Sequence, residues 1–176
     1  MVPSLEQSIF FANQFAISCG TVSVDVARAK VLLIRWWKTG EYLLPKGRKD
    51  LGEGLEHTAT RETFEETGIP VQLLPVNIET MATLPSSMRA EGSPKAVIEP
   101  FAVTQRVNKG ILKIIFWYVA SADSTAIREE GTQDEDEDFD TIWVGFNEID
   151  SILSFDDNKG VAHEAIAAIC REQVAS

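Results

Sequence analysis

Short apolar runs alternate with polar breaks along the chain, and most of those runs have strand length. Phe15–Asp25 (FAISCGTVSVD) alternates small and β-branched residues, which predicts a strand. Lys30–Trp37 (KVLLIRWW) is a second apolar run, closed by a turn at Lys38–Glu41, after which YLLP resumes extension. Lys46–Gly54 reads as a loop, with Gly47, Gly52 and Gly54 loosening the backbone. Leu55–Thr67 has no internal Gly or Pro and predicts a helix. Gly68 stands where a C-cap belongs, and Pro70 prevents resumption. Beyond a surface loop at Leu84–Pro94, Lys95–Val107 and Ile111–Ala122 flank Asn108-Lys109-Gly110, a hairpin signal. Thr132–Asp140 is an acidic loop and Thr141–Phe146 a last strand. Two helices are expected to follow, near Asn147–Phe155 and over Val161–Val174. Strands and helices interleave without an internal repeat or a dividing linker, so residues 1–176 are read as one domain.

A chain of 176 residues buries a core without disulfides or metal staples. Its net charge of −11 and pI near 4.6 argue against a general nucleic-acid or anionic-membrane binder, because the overall field repels phosphate. A phosphate ligand held by local cations or by metal remains compatible. Cys19 and Cys170 lack CxxC spacing and suggest neither a zinc site nor a disulfide framework. Both are expected to be buried, in the reducing setting of the cytoplasm. No run reaches the length of a membrane span. The apolar stretch SIFFANQFAIS follows Glu6 without a Lys or Arg, unlike a signal peptide. A leader removed upstream would leave no trace, so secretion into a host cell is also compatible. Oligomeric state is not legible.

The helix at Leu55–Thr67 carries the chemistry. At about 100° per residue, Glu62 and Glu66 nearly superimpose and Glu65 lies roughly 80° from them, so all three share one sector. Like charges so spaced repel by a few tenths of a kcal/mol per pair. Arg61 neutralises only part of that charge. A divalent cation would remove the rest, and Mg²⁺ favours carboxylate and water oxygens while bridging to phosphates. The glycines upstream let backbone groups approach the same ion or its ligand. Lys46, Arg48 and Lys49 cluster beside the acids, and Arg35 and Lys113 on neighbouring strands could join them. Clustered cations suit a substrate with several phosphates.

From Gly47 to Ile69 the residues resemble the Nudix box, GX5EX7REUXEEXGU with U apolar. Gly47, Glu53, Arg61, Glu62, Glu65, Glu66 and Gly68 occupy its seven fixed positions. At ordinary residue frequencies seven such matches arise by chance at about 10⁻⁸ per window, so coincidence is a poor account. Thr63 departs from the pattern by filling an apolar slot; it is nearly the size of Val but brings a hydroxyl that needs a partner. The resemblance implies an α+β fold, an α/β/α sandwich with a mixed sheet between helices. It implies that Glu62, Glu65 and Glu66 bind Mg²⁺ or Mn²⁺, with one of them a base candidate and the Gly47 carbonyl a further ligand. Glu53 would pair with Arg61 and orient the other acids. Nudix enzymes hydrolyse a diphosphate linked to another moiety.

An acid outside the box is also implied. In asymmetric dinucleotide hydrolases, which this region resembles, a glutamate precedes the last-strand Trp at a similar distance. Glu137, six residues before Trp143, is the first choice and Glu135 the second. A solvated acidic loop is the competing reading. The PKG opening of the box resembles diadenosine polyphosphate hydrolases and the related diphosphoinositol polyphosphate hydrolases, fungal proteins among them. Trp36, Trp37, Tyr42 and Phe101 could stack an adenine. Adjacent Trp36 and Trp37 face opposite sides of a strand, however, so at least one is expected in the core. Strand aromatics more often pack than bind bases, which puts inositol pyrophosphates ahead of dinucleotide polyphosphates. His57 and His163 are expected on helix surfaces. Two further readings are a ligand-sensing or protein-binding module without turnover, which loss of box glutamates would favour, and messenger-RNA decapping, which calls for a basic path that this acidic chain does not display.

Overall fold

A computed structural model of the chain describes residues 9–89, 92 and 94–174. Its spine is a pair of long parallel strands, β1 (Phe15–Asp25) and β7 (Ile111–Ser121), in register from Phe15 opposite Leu112 to Val24 opposite Ser121. β6 (Ala102–Asn108) returns antiparallel along β7 through a tight turn in which Lys109 and Gly110 both have positive φ. This is the geometry that a two-residue hairpin loop demands. β6 is shorter than the predicted run from Lys95. Pro100 interrupts that run, and Val97 instead forms an isolated bridge with Val76.

The sheet divides on the other side of β1. β2 (Lys30–Trp36) pairs with β1 only at Val24–Val31 and Asp25–Lys30, then diverges to run along β8 (Phe139–Gly145). β3 (Tyr42–Leu43) extends the β2 side. In the opening, β4 (Lys46–Arg48) pairs with Ser18–Gly20 of β1, where the sequence predicts loop. Three residues with one glycine and two cations give no hydrophobic period to read. A two-residue β5 (Gln72–Leu73) completes the sheet beside the end of β7.

Alternation along β1 serves two layers. Cys19 of β1 and Tyr118 of β7, which stands opposite Thr21, pack against Ala59 of α1 (Leu55–Thr67). Val22, Val24, Trp117 and Val119 pack on the opposite face against Val161, Ala162 and Ala165 of α3 (Asp156–Val174). Helices thus cover both faces, and the last seven residues of β1 are all buried. The arrangement is the expected α+β sandwich.

Helix boundaries differ from expectation near the C-terminus. Phe146–Glu148 is a 3₁₀ turn leading into a single turn of helix, α2 (Ile149–Ile152). α3 begins at Asp156, five residues before the predicted start, and runs through Gly160. Two acids in its first turn favour that start, since they complement the helix dipole. The N-terminal side of Leu84–Pro94 holds one 3₁₀ turn at Ser86–Met88, while residues 90, 91 and 93 lie outside the described set. Cys19 is buried as expected, but Cys170 is exposed on the outer side of α3. Thr63 is buried and its hydroxyl is satisfied: it donates to the Ala59 carbonyl (2.8 Å) and meets the Thr21 hydroxyl (2.8 Å) on β1. No helix among the described residues is long and apolar enough to cross a membrane.

Candidate active site

Arg61 organises the acids of α1. Its Nε donates to Glu53 Oε1 (2.7 Å) and its Nη2 to Glu53 Oε2 (2.9 Å), a two-point pairing. Its Nη1 reaches Glu62 (2.9 Å) and Glu65 (2.7 Å), and its Nη2 also donates to the Arg48 carbonyl of β4 (3.0 Å). One guanidinium therefore joins the loop, the short strand and three carboxylates. Glu53 accepts two more bonds, from the Asp50 N–H (3.0 Å) and the Thr58 hydroxyl (2.8 Å). The Arg61 bond holds its carboxyl well below the usual range despite burial.

Glu62 and Glu66 have the opposite environment. Burial pushes Glu62 up to about 7 against the pull of Arg61, and the charges of Glu65 and Glu137 add to the rise. Burial pushes Glu66 up to about 8; the Lys46 charge and N–H oppose this, while Glu137 and Glu62 reinforce it. The Lys46 N–H donates to Glu66 Oε2 at 2.7 Å. Glu137 is raised as well, by burial first and then by neighbouring acids. These mutual effects place Glu62, Glu66 and Glu137 in one electrostatic neighbourhood. Gly47 makes it possible, because a Cβ there would overlap the Glu62 carboxylate.

The C-terminal end of α1 is closed by a distant part of the chain. Gly68 has φ 68°, a left-handed cap that returns its N–H to the Phe64 carbonyl. The helix's remaining carbonyls accept from the segment before and into β8. Thr132 reaches Glu65 O (2.8 Å), Gln133 reaches Glu66 O (2.8 Å), Thr141 reaches Thr67 O (2.8 Å), and the Glu129 N–H reaches Gly68 O (2.9 Å). The acidic loop is thereby attached to the helix that carries the buried glutamates.

A cleft of about 640 Å³ opens where β2 parts from β1. Glu66, Glu137 and Gly47 stand on its wall with Lys46, Arg48 and Lys113. Arg106 is there too, directly opposite Lys113 in the β6–β7 register. The sequence did not single out Arg106: a turn over all of Asn108–Gly110 would set it opposite Leu112, whereas the observed two-residue turn at Lys109-Gly110 sets it opposite Lys113. Trp36, Phe139 and Phe155 form an apolar side.

Other predicted residues lie elsewhere. Arg35 points away from the cleft, toward Asp140 (3.9 Å) and over the Tyr42 ring, because Ile34 and Trp36 take the cleft-facing positions of β2. Lys49 turns its ammonium to the Asp50 carbonyl (2.8 Å). Glu135 is exposed and Phe101 packs at the α3 side of the core. Trp37 is 64% exposed and Trp36 is half-buried, so neither tryptophan is a core residue. Strand β2 ends at Trp36, and the Trp37 side chain is open to solvent although its N–H still bonds the Asp138 carbonyl beside β8. His57 and His163 are exposed on α1 and α3.

Among the described residues, no three carboxylate, imidazole or thiol groups form a preset metal cage. Arg61 takes up Glu62 and Glu65, and the Lys46 N–H takes up Glu66. The donor chemistry still fits a hard divalent cation: all candidates are oxygens, and Glu62 and Glu66 are raised by burial first and by neighbouring acids second, despite the Arg61 and Lys46 charges beside them.

Residues 16–165 match the NUDIX domain family. Among solved structures, a NUDIX-family hydrolase from Clostridium perfringens aligns with a TM-score of 0.61 at 23% identity, covering 90% of this chain and 99% of that one. An Ap4A hydrolase from C. elegans, solved as a binary complex, aligns at 0.60 with 15% identity, covering 89% and 98%. A NUDIX hydrolase from Nitrosomonas europaea aligns at 0.58 with 14% identity, covering 87% and 88%. At these identities the likeness is one of fold.

Proposed function

The chain belongs to the NUDIX domain family, and on that premise we propose that it hydrolyses a diphosphate linkage within a polyphosphorylated small molecule, dependent on Mg²⁺ or Mn²⁺. The observation that carries this reading is the pairing of opposites in one cleft. Buried Glu66 and half-buried Glu137 line it together with Lys46, Arg48, Arg106 and Lys113, and the Glu62 carboxylate lies against Gly47 of the same wall. Glu62, Glu65, Glu66, Glu137 and the Gly47 carbonyl are the groups that would hold the cation. When bound, it would stabilise charge on phosphoryl oxygens and lower the pKa of the attacking water. Arg61 and Glu53 keep the helix carboxylates in place, and Lys46 and Arg48 bind non-bridging phosphate oxygens beside them.

The crowd of cations favours inositol pyrophosphates as the substrate class, since each extra phosphate finds a partner. A specific observation favours a second reading, dinucleotide polyphosphates. Trp36 faces the cleft with its ring 6.4 Å from that of Phe139, leaving an aromatic surface against which a base can lie. The C. elegans Ap4A hydrolase shares the fold and lends that reading some weight.

The test is a panel of inositol pyrophosphates, dinucleotide polyphosphates, ADP-ribose and capped RNA, compared by kcat/KM at equal Mg²⁺. Turnover is expected to need the cation and to fall by about three orders of magnitude in Glu66→Gln, the scale of losing a group that stabilises transition-state charge. Full turnover in chelator, or in Glu66→Gln, sinks the metal-dependent mechanism. Ligand binding without any turnover supports the sensing module instead. A preference for adenine-bearing substrates that disappears in Trp36→Ala moves the assignment to the second reading.

A further inference from the structure

The acidic loop should not fold back on its own. Asp134, Glu135, Asp136, Glu137 and Asp138 are consecutive, and consecutive like charges favour extension into solvent. Four of the five are exposed, yet Glu137 turns inward to the wall that holds Glu66. A restraint beyond the single long contact of the Lys38 ammonium to the Asp136 carbonyl (3.5 Å) is required.

Gln133 supplies it. Its Nε2 donates to the Glu66 carbonyl (2.8 Å) and to the Phe139 carbonyl (2.9 Å), while its Oε1 accepts from the Phe139 N–H (3.0 Å). The amide pairs with both backbone groups of Phe139 as a neighbouring strand would, closing the loop at its base. The same amide ties that base to the main chain of Glu66. Within the loop the Glu137 N–H donates to the Asp134 carbonyl (3.0 Å), and the Trp37 N–H holds the Asp138 carbonyl (3.0 Å). Only a carboxamide fits at position 133. A carboxylate of the same shape would meet two carbonyl oxygens with no donor, and an apolar isostere would make none of the three bonds.

We propose that Gln133 is a positioning residue: by bridging Glu66 and Phe139 it holds the loop so that Glu137 stands with Glu66 on the wall of the cleft. This rests on the reading of Glu137 as a ligand in the proposed hydrolase. Its effect passes through Glu137, which distinguishes it from a bond that only stabilises the fold.

The experiment compares Gln133→Met, Gln133→Glu, Glu137→Gln and the double variant Gln133→Met/Glu137→Gln with the parent. Thr132→Val is the control, since it removes a neighbouring bond to the Glu65 carbonyl and leaves the loop base intact. The readouts are kcat and KM on the best substrate of the panel, and Mn²⁺ affinity by electron paramagnetic resonance. Gln133→Met should lower kcat and Mn²⁺ affinity by about tenfold, the lower end of what the loss of a ligand's supporting partner costs, with KM nearly unchanged. Gln133→Glu should do at least as much harm. The double variant should be no worse than Glu137→Gln alone. Losses that multiply in the double variant, or a Thr132→Val loss as large as that of Gln133→Met, overturn the proposal. So does a Glu137→Gln protein with parental kcat and Mn²⁺ affinity. If no substrate is turned over, the hydrolase reading fails, and the Mn²⁺ affinities of the same proteins still decide the role of Gln133.

Discussion

Gly47 is dictated by the carboxylate beside it. A methyl group there would occupy the space of the Glu62 side chain, so Gly47→Ala must displace that acid. Displacements of about 1 Å cost on the order of 10²-fold in rate. Activity should therefore fall by about that factor, while the unfolding temperature shifts by only a few degrees. Loss of both together would place the defect in the fold rather than the cleft. Asp25, far from the cleft, shows the reverse case of an acid kept for stability. It accepts from the Ser124 hydroxyl (2.6 Å) and N–H (2.9 Å) and from Arg28 Nη1 (3.0 Å) and N–H (3.1 Å). These bonds, Ser124 first, hold its carboxyl well below the usual range despite burial. The folded state then binds fewer protons than the unfolded one between the two pKa values. The contribution is complete above the unfolded value of about 3.9 and is lost as the pH falls through the folded value. Asp25→Asn should cost about 1.5–3 kcal/mol near neutrality. In urea melts the gap to the parent should narrow below about pH 4; a gap constant from pH 2.5 to 7 would remove the charge from the account.

At the scale of elements, the β6–β7 hairpin sets two cations side by side. Arg106 and Lys113 are directly opposed, an unfavourable cross-strand pair, and neither has an acidic partner among the described residues. The double variant Arg106→Gln/Lys113→Gln should raise KM for substrates with four or more phosphates by about tenfold, from loss of one or two charge-assisted contacts. The effect should be largest at low salt. An equal rise for a two-phosphate substrate would count against a role in binding the additional phosphates. The hairpin was legible in the sequence from Asn108-Lys109-Gly110, but its register was not: the turn is confined to Lys109 and Gly110, with Asn108 paired to Ile111. β1 was legible to its end residues, because its small and β-branched alternation has no competitor. The box glutamates were legible from spacing, and the helix placed them as their period required. Other features gave weaker signals. β4 carries no hydrophobic period, and Gly160 concealed the true start of α3. The outward turn of Arg35 depends on which face of β2 meets the cleft, a fact that arises from the divergence of two strands. Gln133 acts through main-chain groups, which a side-chain pattern does not expose.

Across the whole molecule, the layers explain why one cleft gathers residues from so much of the chain. β2 leaves β1 to follow β8, β4 fills part of the opening, and the helix tied to β4 through Arg61 brings its acids to the rim. A net charge of −11 surrounds this local positive lining, so the cations stand against the global field. The interior beneath α1 has a consequence of its own. Cys19 lies between β1 and that helix, where burial and the fields of Glu53 and Glu62 push its thiol up to about 11, whereas Cys170 is open to solvent. A maleimide should thus label the chain in two phases, one sulfur at once and the other only when the helix lifts from the sheet. The slow phase is a built-in clock for that opening, and a divalent ion gripping the helix from the rim should make it run several-fold slower.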